Sequence, residues 1–588
     1  MIGLGAKRKP QTFLQGAVIL TVSTLLVKVI GAIFKIPLGN LLGGSGMGYF
    51  TSAYDLYLPL YSLAMAGLPI AISRLVAERV AEKRFADVYK TLKIAQRAFL
   101  VTGLTGTVVM LAAIYPYTLY IGNTGAAFSM FAIAPALLFC CIMSSYRGFY
   151  EGMRNMYPTA VSSVIEALGK LLLGLGFAYL VIFKAQSEFQ LAGTVFGKIV
   201  SVGADADADQ IYEMIVEAAS PYASAAAILG ITIGSVLATL FLIIYHRVSG
   251  AKITRAEVAA SPAPYSGKQT LKMLVAIAIP VVLGSLVSNF SSLIDLLTVQ
   301  KRLATVVETA PDTILGMYNG LLPESTVGAE LSGLVETVPN YLYGCYKGFA
   351  YSVFNLVPSI TSVLGVSALP VLATAWVEQN KSSIKKNIES MVKVTALIAA
   401  PAGIGITVLA GPILNLLYSG KEREVAVATP ILLILGLAAL FSGLSVPLTN
   451  MLQAIGKEKI PVRNILIGAV IKFILNFILV GIPSLNIIGA PIGTLVCYVF
   501  NFAANFYSLV KCAGVRLDIK TILLKPTFSA LLCGGAALGV HHLMSNIITS
   551  AKLVTVLAIL AAGVVYLAAL VVTRCVSKED IGLFGGNA

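Results

Sequence analysis

Apolar runs of about twenty residues recur along this 588-residue chain between short polar turns, a pattern that predicts membrane-spanning helices. A hydrocarbon core of about 30 Å takes roughly twenty helical residues to cross. On that measure spans fall near 12–38, 49–73, 98–116, 126–146, 157–183, 222–245, 273–299, 341–372, 394–412, 425–451, 464–481, 488–510, 526–545 and 553–573. The count is fourteen. The residue-by-residue alternation of a membrane β-barrel is absent, so the fold class is an all-α integral membrane protein. Lys7, Arg8 and Lys9 precede the first run as they would in a signal peptide, but the run is too long and lacks a small-residue cleavage site, so it is expected to stay.

Composition sharpens the picture. With 57% hydrophobic and 12% charged residues, and a mean hydropathy of +0.87, the chain is too apolar for water-soluble domains. Its net charge of +15 is unevenly placed: thirty of the 42 Lys and Arg residues fall on the side of residue 1. Seven lie on the other side (Lys184, Lys198, Lys301, Arg302, Lys421, Arg423, Lys552) and five within spans. That asymmetry predicts a plasma-membrane protein with both termini cytoplasmic, and explains the charge without a nucleic-acid partner. Two outward loops, 184–221 and 300–340, are long and acidic, with Asp205, Asp207 and Asp209 in the first; they are read as solvated loops.

The chain also repeats. LPIAISRLVAE at 68–78 returns as LPVLATAWVEQ at 369–379, and the pair Pro158 and Lys170 returns as Pro461 and Lys472. The offset of 301 to 303 residues predicts two pseudo-symmetric six-helix lobes, 1–246 and 272–511, with a cytoplasmic linker at 247–271 and two further helices in 512–588. In such parallel-repeat transporters the substrate site lies between the halves near the midplane.

Charges inside spans are the candidate chemistry, because ionisable groups at bilayer depth are costly and face a cavity or a partner. Lys28, Lys35, Lys170, Lys347 and Lys472 stand against Asp55, Glu166 and Asp295, leaving a surplus of positive charge that suits an anion. Glu166 and Lys170 are four apart on one helix face and are expected to line a polar path. Lys28 and Lys347 are the two for which snorkelling to the interface competes most with that role. Arg74 and Arg147 are placed near the cytoplasmic mouth. Gly67 with Pro69, Pro280, Pro358 with Gly365 and Pro370, Pro401, Pro447 and Pro491 are the expected helix breaks, and Gly43–Gly48 is a flexible outward turn.

The segments VKVIGAIFKIPLGNLLGGSGMGYF, AGLPIAISRLVAE and RGFYEGMRNMYPTAVSSVIEALGK resemble the stage V sporulation protein B group of oligosaccharide flippases. This group belongs to the multidrug/oligosaccharidyl-lipid/polysaccharide exporter superfamily, together with MurJ-type lipid II flippases and multidrug antiporters. The resemblance implies two six-helix bundles around a cavity that opens alternately inward and outward. It implies a saccharide carried on a polyprenyl pyrophosphate, moved to the outer leaflet for peptidoglycan, spore cortex or surface polysaccharide. MurJ-type proteins carry an Arg-Asp pair in span 1 where this chain has Phe34-Lys35, so the base is kept and the acid is not.

On this reading Lys35, Lys170 and Lys472, with Lys28, Lys347 and Arg147, hold the pyrophosphate, while Asp55, Glu166 and Asp295 tune or release it. Expected partners are the lipid-linked saccharide, the bilayer, and cell-wall or polysaccharide synthases. The alternative is an ion-coupled exporter of cationic compounds on the same fold, which calls for surplus carboxylate instead. A membrane glycosyltransferase using the outer loops lacks a histidine or a defined acid pair. No GxxxxGK[ST] sequence is present, so ATP is not the expected energy source. Three histidines and seven cysteines fall in no zinc spacing, and the cysteines avoid the outward loops, so no metal, cofactor or disulfide is expected.

Overall fold

The computed structural model describes residues 11, 13–65, 67–200, 207–250 and 253–575; Lys7, Arg8, Lys9 and Asp205 lie outside them. Among the described residues, twelve helices are long and apolar enough to cross a membrane. The first of these, Val18–Ala81, runs for 64 residues, far more than one crossing requires.

Two compact units divide the chain, one of 1–296 with 323–329, the other of 297–322 with 330–588. The first contains α1 (Phe13–Met65), α2 (Leu68–Ala81), α3 (Phe85–Ile121), α4 (Ala126–Ile133), α5 (Ala136–Gly152), α6 (Tyr157–Ala192), a hairpin of β1 (Thr194–Val195) and β2 (Lys198–Ile199), α7 (Ala208–Ser249), α8 (Arg255–Ala259) and most of α9 (Gly267–Thr309). The second contains α10 (Pro311–Met317), α11 (Leu331–Gly344), a π-turn at Cys345–Ala350, α12 (Tyr351–Phe354), α13 (Leu356–Val377), α14 (Lys381–Val408), α15 (Ala410–Leu417) and α16 (Glu422–Ala454). It continues through α17 (Lys459–Leu479), α18 (Gly489–Ala513), α19 (Lys525–Ser545) and α20 (Ala551–Val572). The division by contact falls inside α9, whereas the repeat in the sequence puts its boundary at 247–271.

The helices are apolar on their outer faces as well as in the core. On α3, Leu100, Leu104, Val108, Leu111, Tyr115 and Leu119 form one exposed stripe at helical spacing, while Phe99, Gly103, Met110 and Ile114 turn inward. Such a stripe is a liability in water and the ground state against lipid. The first unit's core gathers Leu68, Ile72, Leu75 and Val76 of α2 with Val88, Leu92 and Phe99 of α3, Phe149 of α5 and Leu242 of α7. In the second unit Leu372, Ile388, Leu448, Met451 and Leu509 do the same for α13, α14, α16 and α18.

The α6 and α7 backbones approach closely, and glycine permits it. A side chain at Gly169 would place its Cβ 2.6 Å from the Gly234 Cα, and one at Gly234 would lie 2.9 Å from the Glu166 carbonyl oxygen. A side chain at Gly230 would meet the Gly174 backbone. Small residues of this kind let transmembrane backbones pack without intervening side chains.

Several breaks differ from the expected ones. The turn at Gly43–Gly48 narrows to one residue, Gly43, whose φ of 64° is a conformation glycine adopts without strain. Pro69 opens α2, Pro358 sits in the first turn of α13 and Pro491 in that of α18, positions where the missing amide costs nothing. Pro401 and Pro447 lie inside unbroken α14 and α16. The side chains of Pro280 and Pro370 lie outside the described residues. The two segments expected to be outward loops are largely helical: α6 continues to Ala192 and α7 starts at Ala208, while α9, α10 and α11 occupy most of 300–340. Asp207 caps α7 by accepting from the Gln210 amide, which gives the acidic run a local structural role.

The linker is held down rather than loose. The Tyr265 ring lies between two guanidinium groups, 4.5 Å from Arg79 and 4.1 Å from Arg84. Its amide donates to Asp87 Oδ1 at 2.8 Å, its carbonyl accepts from Lys90 Nζ, and Arg84 donates to the Ala263 carbonyl.

Gly230→Ala is expected to force α6 and α7 apart and cost about 1–3 kcal/mol. Gly176→Ala, on α6 with open space around it, should be neutral. Thermal unfolding of the two variants in detergent checks this: equal midpoints would remove the close-packing argument.

Candidate functional site

Ser162, Glu166 and Lys170 follow one another at four-residue intervals on α6, so they stack along a single face. The Arg147 side chain reaches across from α5, its Nε donating to Ser162 Oγ at 2.9 Å and its Nη2 donating to Glu166 Oε2 at 3.1 Å. From α7 the Ser235 hydroxyl donates to Glu166 Oε1 at 3.4 Å, in the same turn where Gly234 lets the helices touch. Cys140 Sγ donates to Ser235 Oγ, and Tyr57 OH contacts Cys140 Sγ at 3.5 Å. The carboxylate is thus held by Arg147 and not by Lys170, the residue one turn along its own helix.

The Lys170 ammonium rests over rings instead, 4.9 Å from the Phe34 centroid and 5.1 Å from that of Tyr54. A ring face attracts a cation without neutralising it. Arg147 and Glu166 retain 15% and 28% of their side-chain exposure, so the pair is open on one side. Glu166, whose field still reaches Lys170, thus accepts its hydrogen bonds from Arg147 and Ser235 instead. Arg147, placed at the cytoplasmic mouth by its sequence position, is in the structure the ligand of Glu166.

The other predicted residues of the first unit are Lys28, Lys35, Asp55 and Asp295. Lys35 is half-buried and follows Phe34 by one residue, which turns it about 100° away from the ring's face. Lys28 is half-buried on the same helix; Asp55 is 8% exposed and Asp295 fully buried. Each of these four makes contacts of its own.

In the second unit Lys347 lies within the π-turn, buried, with its ammonium 4.3 Å from the Tyr351 ring and 5.4 Å from that of Tyr346. A single π-turn in a helix is often a functional feature. Lys472 is fully buried on α17, on the stripe Asn464, Gly468, Lys472 and Asn476. Asn464 Nδ2 donates to Asn505 Oδ1 at 2.9 Å, Asn505 Nδ2 donates to Thr449 Oγ1, and Asn501 packs over Gly468. Lys170 and Lys472 occupy corresponding places in the sequence, but one lies over rings and the other is buried on a helix stripe shared with asparagines.

Phe34, Tyr54, Ser162, Ser235 and Cys140 were not among the residues expected from charge alone. The spacing of Phe50, Tyr54, Tyr57 and Tyr61 at four, three and four is the signal that marks one face of their helix. Among the described residues, no group of three His, Cys, Asp or Glu is placed to hold a metal ion, and all seven cysteines are free thiols.

Two family models match, one described as "Polysaccharide biosynthesis protein" over residues 13–202 and one as "Lipid II flippase MurJ" over residues 347–573. The chain is similar to the "Lipid II flippase MurJ" of Bacillus subtilis (strain 168), 23% identical over 573 residues, 94% of each chain. It is as similar to the "Stage V sporulation protein B" of the same organism, 23% identical over 581 residues, 97% of each. Among solved structures, a lipid II flippase MurJ in an inward closed conformation matches with TM-score 0.59 at 14% identity, covering 95% of this chain and 99% of that one. An inward-facing multidrug resistance transporter of the MATE family matches with TM-score 0.55 at 16% identity, covering 85% and 99%. These likenesses establish the all-α membrane fold.

Arg147→Met is expected to destabilise the first unit by about 1–3 kcal/mol, because the partly buried Glu166 carboxylate loses its charged hydrogen-bond partner. Adding Glu166→Gln should restore much of the loss. Unfolding midpoints of the two single variants and the double variant test this, and simple additivity would show that the pair is not coupled.

Proposed function

We infer that this chain, a relative of the stage V sporulation protein B and MurJ-type proteins, moves a polyprenyl-pyrophosphate-linked oligosaccharide from the inner to the outer leaflet by alternating access. The observation that carries this reading is the Lys170 ammonium, held over Phe34 and Tyr54 while Arg147 occupies the neighbouring carboxylate. A pyrophosphate oxygen brought to 4 Å from such a cation gains about 4 kcal/mol at an effective dielectric constant near 20. Lys35 and Lys28 add positive potential in the same unit. Glu166 sets the strength of the site, since any movement that frees it from Arg147 brings a competitor for Lys170 and favours release.

Lys472, fully buried in its asparagine seam, is assigned the structural counterpart of Lys170, and Lys347 with its two tyrosines a second cation held ready in the other unit. Asp55 and Asp295 are proposed as the ion-pairing acids of the first unit. The chain crosses the membrane fourteen times if Val18–Ala81 is two crossings divided at Gly43 and Gly267–Thr309 is a further one. Residues 1–246 and 272–511 are proposed as the two six-helix lobes and 512–588 as the appended pair, with both termini cytoplasmic in the plasma membrane. The protein acts as a transporter, with no catalytic residue assigned, and delivers its lipid to wall or polysaccharide synthases.

Translocation of a fluorescent undecaprenyl-pyrophosphate disaccharide in proteoliposomes tests the reading. Wild type should move the lipid, and Lys170→Ala should slow it at least about tenfold with an unchanged unfolding midpoint. A cationic dye should not move under an imposed ion gradient. Dye uptake without lipid movement would instead identify an exporter of cations.

A further inference from the structure

One side of the Lys170 site is a row of aromatic rings on the second half of α1. Phe50, Tyr54, Tyr57 and Tyr61 stand in sequence with ring centroids 5.9, 6.0 and 5.4 Å apart, the first pair stacked within 9°. Their burial alternates. Phe50 and Tyr57 are closed off at 1% and 5% exposure, whereas Tyr54 and Tyr61 keep part of their surface. The two accessible rings are seven residues apart, about 10 Å along the helix and on nearly the same face.

Charge runs beside them: Tyr54 is 5.1 Å from Lys170, and Tyr61 lies in the field of Glu166 and Arg147. Core packing does not demand phenols at these positions. At the 301-residue offset that relates LPIAISRLVAE to LPVLATAWVEQ just downstream, the second half of the chain has Tyr351, Asn355, Pro358 and Ser362, so the three tyrosines have no aromatic counterpart there.

We propose that Tyr54 and Tyr61 form a stacking platform for the saccharide of the transported lipid, backed by Phe50 and Tyr57, with Lys170 fixing the anionic end. The proposal rests on the function inferred above. A sugar ring presents a face of C–H bonds and a rim of hydroxyls. A tyrosine matches both, since its ring face is electron-rich and its phenol remains a donor and acceptor. Two such rings flanked by a lysine and an arginine-carboxylate pair accept a neutral glycan joined to a phosphate. A hydrophobic cation would be repelled by Lys170.

The test measures binding of three probes to the purified full-length protein in nanodiscs: undecaprenyl-pyrophosphate disaccharide, undecaprenyl pyrophosphate, and the free disaccharide. Tyr54→Leu and Tyr61→Leu should weaken the glycosylated lipid about tenfold and leave the bare lipid within about twofold. Tyr54→Phe should keep most of the binding, and Lys170→Ala should weaken both lipids. Equal losses for both lipids, or none, would overturn the platform.

If the leucine variants fail to fold, Tyr61→Trp preserves a ring. The chain has a single native tryptophan, Trp376, so an emission shift on adding glycosylated but not bare lipid reports stacking at position 61. An equal or absent shift with both lipids overturns it. Binding of the free disaccharide without either lipid keeps the platform and sinks the flippase reading; no binding of any probe sinks both.

Discussion

The contact of α6 with α7 through glycine is the constraint on which the site depends. Without side chains at Gly169, Gly174, Gly230 and Gly234, the two backbones approach closely enough for Ser235 to reach the Glu166 carboxylate. The same closeness fixes the rotation of α6, and hence the direction in which Lys170 points. In a bilayer there is no hydrophobic gain from bringing two apolar helices together, so close backbone packing and hydrogen bonds must supply the specificity. Here one short stretch supplies both.

That geometry sorts the charges of the first unit. Glu166 is held from two helices, by Arg147 of α5 and Ser235 of α7, while Lys170 is given ring faces. An ion pair within the membrane is a weak source of stability, because desolvation offsets most of the attraction. Its value lies in keeping the acid away from the lysine. The surplus cation is therefore a product of packing, not simply of counting residues.

How much of this was legible in the sequence depended on range. Helical spans were readable because hydropathy is a local property of twenty consecutive residues, and the lysines inside them stood out against that background. The pairing of Arg147 with Glu166 was not, because the partners sit on different helices and each has a nearer candidate in sequence. The helical extensions beyond Phe183 and Val299 were missed for the opposite reason: once a segment turns polar, hydropathy cannot tell a continued helix from a loop. Ring placement around Lys170 needed the crossing of the two halves of α1, which no periodicity states.

The clamp on Tyr265 has a consequence for how the polypeptide can be divided. The stretch SPAPY at 261–265 has the composition of a loose tether, the kind of place where a gene is cut to express two halves separately or where a reporter is inserted. In the folded chain Arg79, Arg84, Asp87 and Lys90 hold its end, and Met273 of α9 accepts from Arg79. A cut before Tyr265 would leave the amino-terminal fragment with an empty arginine pocket that the other polypeptide fills in trans. Split versions of this protein would then reassemble through fragment complementation, with an aromatic anchor already built into the seam.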